Sequence, residues 1–488
     1  MNRSQTLQPI PDSLWSVRNA AQIIDGKILG LMIALTMGWL VMQLPTPALM
    51  DASGLYFLGS LTAGTLLLMF NVYDEYLVGI MMLLFWVVSD AVPSEVALAG
   101  FSRTSWCFVV AVLGIAAAVN KSGLFHSIAI GTLRRISPDY RMYTWLLTMS
   151  GLIVTPVMPT SKARMAIAAP LSKTISETMG FERRSNGSAG IGLSAYVGFT
   201  QCAFMFLTGA TSCLIGWNLL PQSAKLDFGW TTWAVAALPA GVVTLGCLLL
   251  GVHYLFPTKV ISRLSQVKQP DHPLDRPKSL SRNERISFGI LIFALVGWLS
   301  KPMHGVSETW VALGALSVFL LTRVLEKDDF KARIDWGFLF FLGVISSFDG
   351  IMRHLKIDRW LMASITPYLS YVALDPLAFL TVVSIAVYFI RFFLGKTPTV
   401  ILLSTLGLSS WAQELGVHPG VLLITILMAN ESWFLLSQND AYQIAFYSTD
   451  GNAFSHAQAR KLMVVRCAAN FLALAVSVPY WKLLGFIR

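Results

Sequence analysis

Charge is what this sequence has least of: 13% of its 488 residues are Asp, Glu, Lys or Arg, against about 25% in ordinary globular domains. With 55% of residues hydrophobic and a mean hydropathy of +0.63, a water-soluble domain is excluded. A polytopic membrane protein is expected instead, built from spans of roughly 20 apolar residues. Cysteine is scarce as well. Cys107, Cys202, Cys213, Cys247 and Cys467 are odd in number and scattered through apolar segments, which excludes a disulfide framework or zinc site and leaves reduced thiols. The seven histidines stand alone, with neither a His-Glu-x-x-His spacing nor an intramembrane Gly-x-Ser-x-Gly elbow. No enzyme, catalytic residue, metal or cofactor is expected from them. No small-residue cleavage site follows the polar stretch 1–27, so the first helix is expected to stay in place. Acidic residues are the minority, 26 against 36 Lys and Arg. In a membrane chain the resulting +10 belongs to cytoplasmic loops, not to a nucleic-acid surface.

What is present is a series of apolar runs. They predict an all-α polytopic protein of about eleven transmembrane helices, at 28–44, 55–70, 76–88, 105–119, 190–217, 231–256, 286–299, 310–325, 336–351, 419–447 and 462–486. Two further regions, 143–171 and 377–408, are too polar at their centres to cross and read as re-entrant hairpins. Basic residues orient the chain: Arg134, Arg135, Arg141, Arg183, Arg184, the linker 258–285 and the loop around Asp328 share one side if the N-terminus is cytoplasmic. The first hairpin then enters from the cytoplasm and the second from outside, where the C-terminus also ends. Residues 1–95 read as N-terminal scaffold and dimerisation helices, 96–257 as a first repeat, 258–285 as a proline-bearing cytoplasmic tether, and 286–488 as a second repeat.

The two repeats are expected to have inverted topology. Trp106 precedes Lys162 by 56 positions and Trp336 precedes Lys396 by 60; Gly180 and Gly416 follow those lysines by 18 and 20. Paired interruptions at corresponding places in two halves point to a transporter binding site.

At the first break, Pro156 and Pro159 forbid a continuous helix. Thr160, Ser161, Lys162 and Arg164 follow, where a restarting helix would aim positive amides at an anion. Lys162 and Arg164 either reinforce that site or snorkel to an interface. At the second break, Gly395, Lys396, Thr397 and Thr399 offer close backbone approach, a cation and hydroxyls. Arg391 beside them joins the site or merely anchors the hairpin. Each half also carries a later span with a polar centre. There Thr208, Gly209, Ser437, Gln438 and Asn439 are candidate neutral donors, and Thr211 with Ser212 serves either binding or close helix packing. Glu431 and Asp440 either carry a coupling proton or neutralise a lysine.

Leu98-Ala99-Gly100-Phe101 with the Trp106 span, Pro159-Thr160-Ser161-Lys162-Ala163-Arg164, Phe206-Leu207-Thr208-Gly209, Trp336-Gly337 and the segment from Gly416 onward resemble the divalent anion:sodium symporter family, in its citrate/succinate and 2-oxoglutarate/malate branch. The resemblance covers most of the chain from Leu98. It implies a homodimeric secondary transporter of small dicarboxylates in a lipid bilayer, here the bacterial inner membrane, working by an elevator motion with sodium as coupling ion. The family's hairpin tips carry Ser-Asn-Thr. Here lysine falls where sodium would sit, so uncoupled uptake, exchange and proton coupling all stay open. A sulfate or other oxyanion permease, and a sensor that binds without transporting, are the alternatives.

Overall fold

The computed structural model describes residues 12–125, 127–128, 139–258, 280–369, 375–393 and 397–488. Among these residues the secondary structure is helical; pairing of extended backbone is confined to an isolated bridge between Val417 and Ile487. The principal helices are α1 (Asp12–Met42), α2 (Ser53–Met69), α3 (Glu75–Val88), α4 (Thr104–Ser122), α5 (Tyr140–Val154), α6 (Ser161–Thr178), α7 (Asn186–Tyr196), α8 (Thr211–Leu219), α9 (Trp230–Leu255), α10 (Arg282–Leu299), α11 (Glu308–Leu321), α12 (Trp336–Ser346), α13 (Pro376–Phe393), α14 (Thr397–Glu414), α15 (Pro419–Asn430), α16 (Asp440–Tyr447) and α17 (His456–Leu483). Among the described residues, four helices are long and apolar enough to cross a membrane: Thr104–Ser122, Trp230–Leu255, Trp336–His354 and His456–Leu483. Shorter apolar helices, including Ser53–Met69 and Pro419–Asn430, supplement them.

Local chemistry accounts for several boundaries. Asp139 accepts from the Met142 amide to start α5, and Pro156 and Pro159 end it, because neither can donate to the preceding turn. Ser281 and Glu284 form a reciprocal capping box at the start of α10, and Ser455 with Gln458 does the same for α17.

Nine of the eleven expected spans fall on helices. The other two are corrected: 190–217 and 419–447 do not run through but break in the middle, at 197–210 and 431–439. The spans follow hydropathy averaged over each run, whereas the breaks fall at or beside the polar centres noted in the sequence, Thr208 to Ser212 and Glu431 to Asn439.

The packing pairs corresponding elements. α5 and α6 lie on α7, while α13 and α14 lie on α15. The helices that follow the breaks cross over: α16 packs on α6, and α8 packs on α14. α9 and α17 run along one another, and α1 with α2 forms a peripheral pair. Buried apolar side chains divide into a larger cluster containing α8, α14 and α15, and a smaller one containing α6, α7 and α16. Residues 259–279 of the expected tether, Arg134, Arg135, Gly395 and Lys396 lie outside the described residues.

Candidate functional site

A helix that breaks inside an apolar protein frees carbonyls and amides that lipid cannot satisfy. In the first half, α7 passes into a π turn at Val197–Gln201 and a 3-10 turn at Ala203–Met205 before α8 begins at Thr211. Arg164, fully buried on α6, closes around this break. Its Nε donates to the Phe199 carbonyl at 2.7 Å, Nη1 to the Gly209 carbonyl at 2.6 Å and to that of Met158, and Nη2 to the Ser161 hydroxyl at 2.9 Å. The Thr208 hydroxyl donates to the Pro156 carbonyl at 2.5 Å and accepts from Trp230 Nε1 at 3.0 Å. Gly198 of the π turn sits directly on the Thr148 backbone, and Gly151 sits on that of Gly198 and Phe199. A Cβ at either position would collide with main chain, so hairpin and broken segment dock through glycine.

The second half repeats the construction with a different arginine. α15 ends at Asn430, a 3-10 turn spans Leu436–Gln438, and α16 starts at Asp440. Arg391, on the last turn of α13 and 1% exposed, donates through Nε to the Ser432 carbonyl at 2.8 Å. Its Nη2 donates to the Gln438 carbonyl at 2.8 Å, and Nη1 to Asn430 Oδ1 at 2.8 Å and the Thr397 hydroxyl at 3.2 Å. The Gln438 side chain answers by donating to the Arg391 carbonyl at 2.8 Å and accepting from the amides of Phe434 and Leu435. Each arginine thus grips both ends of one break, Arg164 from α6 and Arg391 from α13. Arg164 does not snorkel, and Arg391 is no peripheral anchor.

The two breaks meet. Trp433 Nε1 donates to the Tyr196 hydroxyl at 2.7 Å, and Gln201 Nε2 donates to the same oxygen at 3.1 Å. Glu431, where the second break begins, directly follows Asn430, the residue that Arg391 Nη1 holds. At the edge of this centre Lys162 forms an ion pair with Asp440 at 2.5 Å, the two side chains 63% and 53% exposed. This contact joins the start of α6 to the start of α16.

The remaining expected residues are placed as follows. Thr160 is half-buried before α6, and Asn439 accepts from the Tyr442 amide to cap α16. Thr399 is buried with an unpartnered hydroxyl. Ser437 lies in the 3-10 turn of the second break. Sequence reading missed Tyr196, Trp433, Gln201 and Arg466. For Arg466 the signal was in view: an arginine inside an apolar span, followed four positions later by Asn470.

A family model described as the sodium:sulfate symporter transmembrane region matches residues 25–487. The chain is 24% identical to the candidate malate transporter YflS of Bacillus subtilis (strain 168), over 72% of this chain and 77% of that protein. It is likewise 24% identical to dicarboxylate transporter 2.1, chloroplastic, of Arabidopsis thaliana, over 82% of this chain and 72% of that protein. The crystal structure of the Alcanivorax borkumensis YdaH transporter superposes with a TM-score of 0.55 at 14% identity, covering 96% of this chain and 98% of that one.

Proposed function

The chain belongs to the sodium:sulfate symporter transmembrane family, and from that premise we propose that it carries small dicarboxylates across a bacterial inner membrane by alternating access. It is an integral membrane transporter of anions, not an enzyme. The observation that carries the anionic substrate is the charge at the junction of the two breaks. Three buried guanidiniums, of Arg164, Arg391 and Arg466, hold or adjoin the two breaks, against the one carboxylate of Glu431, and Lys162 and Asp440 cancel one another. Two positive charges are therefore left without a protein counter-charge at bilayer depth, where ionisable groups mark substrate pathways. A dicarboxylate supplies the complement, in keeping with the names of the two relatives.

The binding site in this reading is the first hairpin tip (Thr160, Ser161, Lys162), the second (Gly395, Lys396, Thr397, Thr399) and the backbone of the two breaks near Gly209, Ser437 and Asn439. Arg164, Thr208 and Gln438 hold that backbone in place. With Asp440 engaged by Lys162, Glu431 is the carboxylate available to a coupling proton. The reciprocal packing of α16 on α6 and α8 on α14 supports two inverted repeats whose hairpins are re-entrant. An elevator motion of the hairpin-bearing unit against a homodimeric scaffold, with the N-terminus cytoplasmic and the C-terminus outside, completes the proposal.

Uptake of labelled succinate, malate and sulfate into proteoliposomes tests it. Saturable dicarboxylate uptake is expected, and Lys162→Ala is expected to abolish it. Binding without flux would leave a sensor. Uptake of sulfate alone would favour the second reading, an inorganic oxyanion permease, which the family description suggests.

A further inference from the structure

Three arginines are buried among the described residues closest to the junction, and they differ in how many of their donors the protein uses. A guanidinium carries five N–H groups. Arg164 and Arg391 each donate four hydrogen bonds, all to oxygens of a break, of the helix end leading into it, or of the adjoining 158–161 and 397 positions. Arg466 on α17 is equally buried, at 0% exposure, yet donates a single bond, from Nη2 to the Met428 carbonyl at 2.9 Å. Its Nε and Nη1 have no partner. One helical turn further along the same face, Asn470 is also fully buried, and neither end of its carboxamide is hydrogen-bonded.

The position of this pair matches its unused capacity. Met428 belongs to the last turn of α15 before the second break, and the Arg466 guanidinium lies 5.6 Å from the ring centre of Phe204 in the first break. Arg466 therefore stands between the two broken segments. No ion pair joins it to a carboxylate among the described residues. Unpaired donors on a buried cation are costly unless a ligand or water meets them. A carboxylate is the ligand that satisfies both the charge and the N–H groups.

We propose that Arg466, assisted by the Asn470 carboxamide, is the residue that receives one carboxylate of the transported dianion, while Arg164 and Arg391 only position the backbone around it. The inference rests on the transporter reading above. Arg466 is closed from solvent in this conformation, so the anion meets it in a conformation other than this one.

The test separates loss of a carboxylate contact from loss of structure. Binding of succinate and of its monoamide, succinamate, is measured on the purified full-length protein by thermal shift and calorimetry, for the wild type, Arg466→Gln, Arg466→Lys and Asn470→Ala. The wild type is expected to prefer succinate. Arg466→Gln is expected to weaken succinate binding about 10- to 100-fold, the range of a lost charge-assisted contact, and to bring the two ligands to nearly equal affinity. Arg466→Lys keeps the charge and is expected to retain part of the preference, and it carries the test if the glutamine variant does not fold. Asn470→Ala is expected to weaken succinate without erasing the preference. An unchanged succinate preference in Arg466→Gln, or in Arg466→Lys should that stand alone, overturns the assignment and leaves the transporter reading intact. An equal weakening of both ligands makes Arg466 structural and overturns it as well. A wild type that neither binds nor moves any dicarboxylate overturns the reading on which the inference rests.

Discussion

At the scale of single residues, similar cations do different work according to what surrounds them. Arg164 and Arg391 are buried and saturated by carbonyls, so their loss strands several acceptors, each unsatisfied group costing about 1–3 kcal/mol. Arg164→Ala and Arg391→Ala are each expected to lower the melting temperature of the detergent-solubilised protein markedly. Lys162 and Asp440 are more than half exposed, and such ion pairs contribute little to stability. Lys162→Ala is expected to leave the melting temperature nearly unchanged while uptake disappears. Equal melting losses for all three variants would contradict this division between clamp and site. The sequence marked Arg164, Arg391 and Lys162 as costly cations inside apolar segments, but their roles depended on which oxygens the fold brings to each. Arg466 carried the same mark and was overlooked because its span reads as an ordinary closing helix.

At the scale of elements, the contact between hairpin and broken segment is made by backbone. Gly198→Ala would place a methyl against the Thr148 main chain, and overpacking of a tight contact costs about 1–3 kcal/mol. This substitution is expected to slow uptake and raise hydrogen exchange in 197–210, with the peripheral α1 and α2 pair unaffected. A short helix at Lys327–Arg333, outside the spans, offers a pH test. Asp329 accepts from Lys121 at 2.5 Å and from Arg333 at 2.8 Å. First the Lys121 bond and then the Arg333 bond hold its carboxyl down at about 2, from an ordinary 3.8. A depressed acid contributes stability above its unfolded value and loses it as pH falls through the folded one. Amide protection in 327–333 is therefore expected to be full above pH 3.8 and to fall towards about 2. Asp329→Asn is expected to show the unprotected pattern already at neutral pH. The breaks at 197–210 and 431–439 were only half legible: their polar centres were visible, but the apolar residues on either side match a continuous span and the backbone does not.

At the scale of the whole molecule, the crossed packing of α16 on α6 and α8 on α14 ties each half's hairpin to the other half's break. In the proposed mechanism this arrangement moves as one body. A lysine at the first tip already meets Asp440, so a cation of the protein stands near where the family's resemblance implies sodium. Replacing sodium by choline is accordingly expected to leave dicarboxylate uptake into proteoliposomes unaltered; a steep sodium dependence would show that coupling uses another place in the fold.

Composition and hydropathy determined that this chain is a helical membrane protein, because lipid admits few alternatives for a sequence so poor in charge. The proline and lysine interruption at 156–162 marked the break between α5 and α6 for a related reason: polar and helix-breaking residues are rare enough in such a sequence to stand out. Tertiary structure alone decided which arginines clamp backbone and which keeps its donors unused. That outcome depends on carbonyls released by breaks tens of residues away, and no local pattern of side chains records where a distant backbone will open.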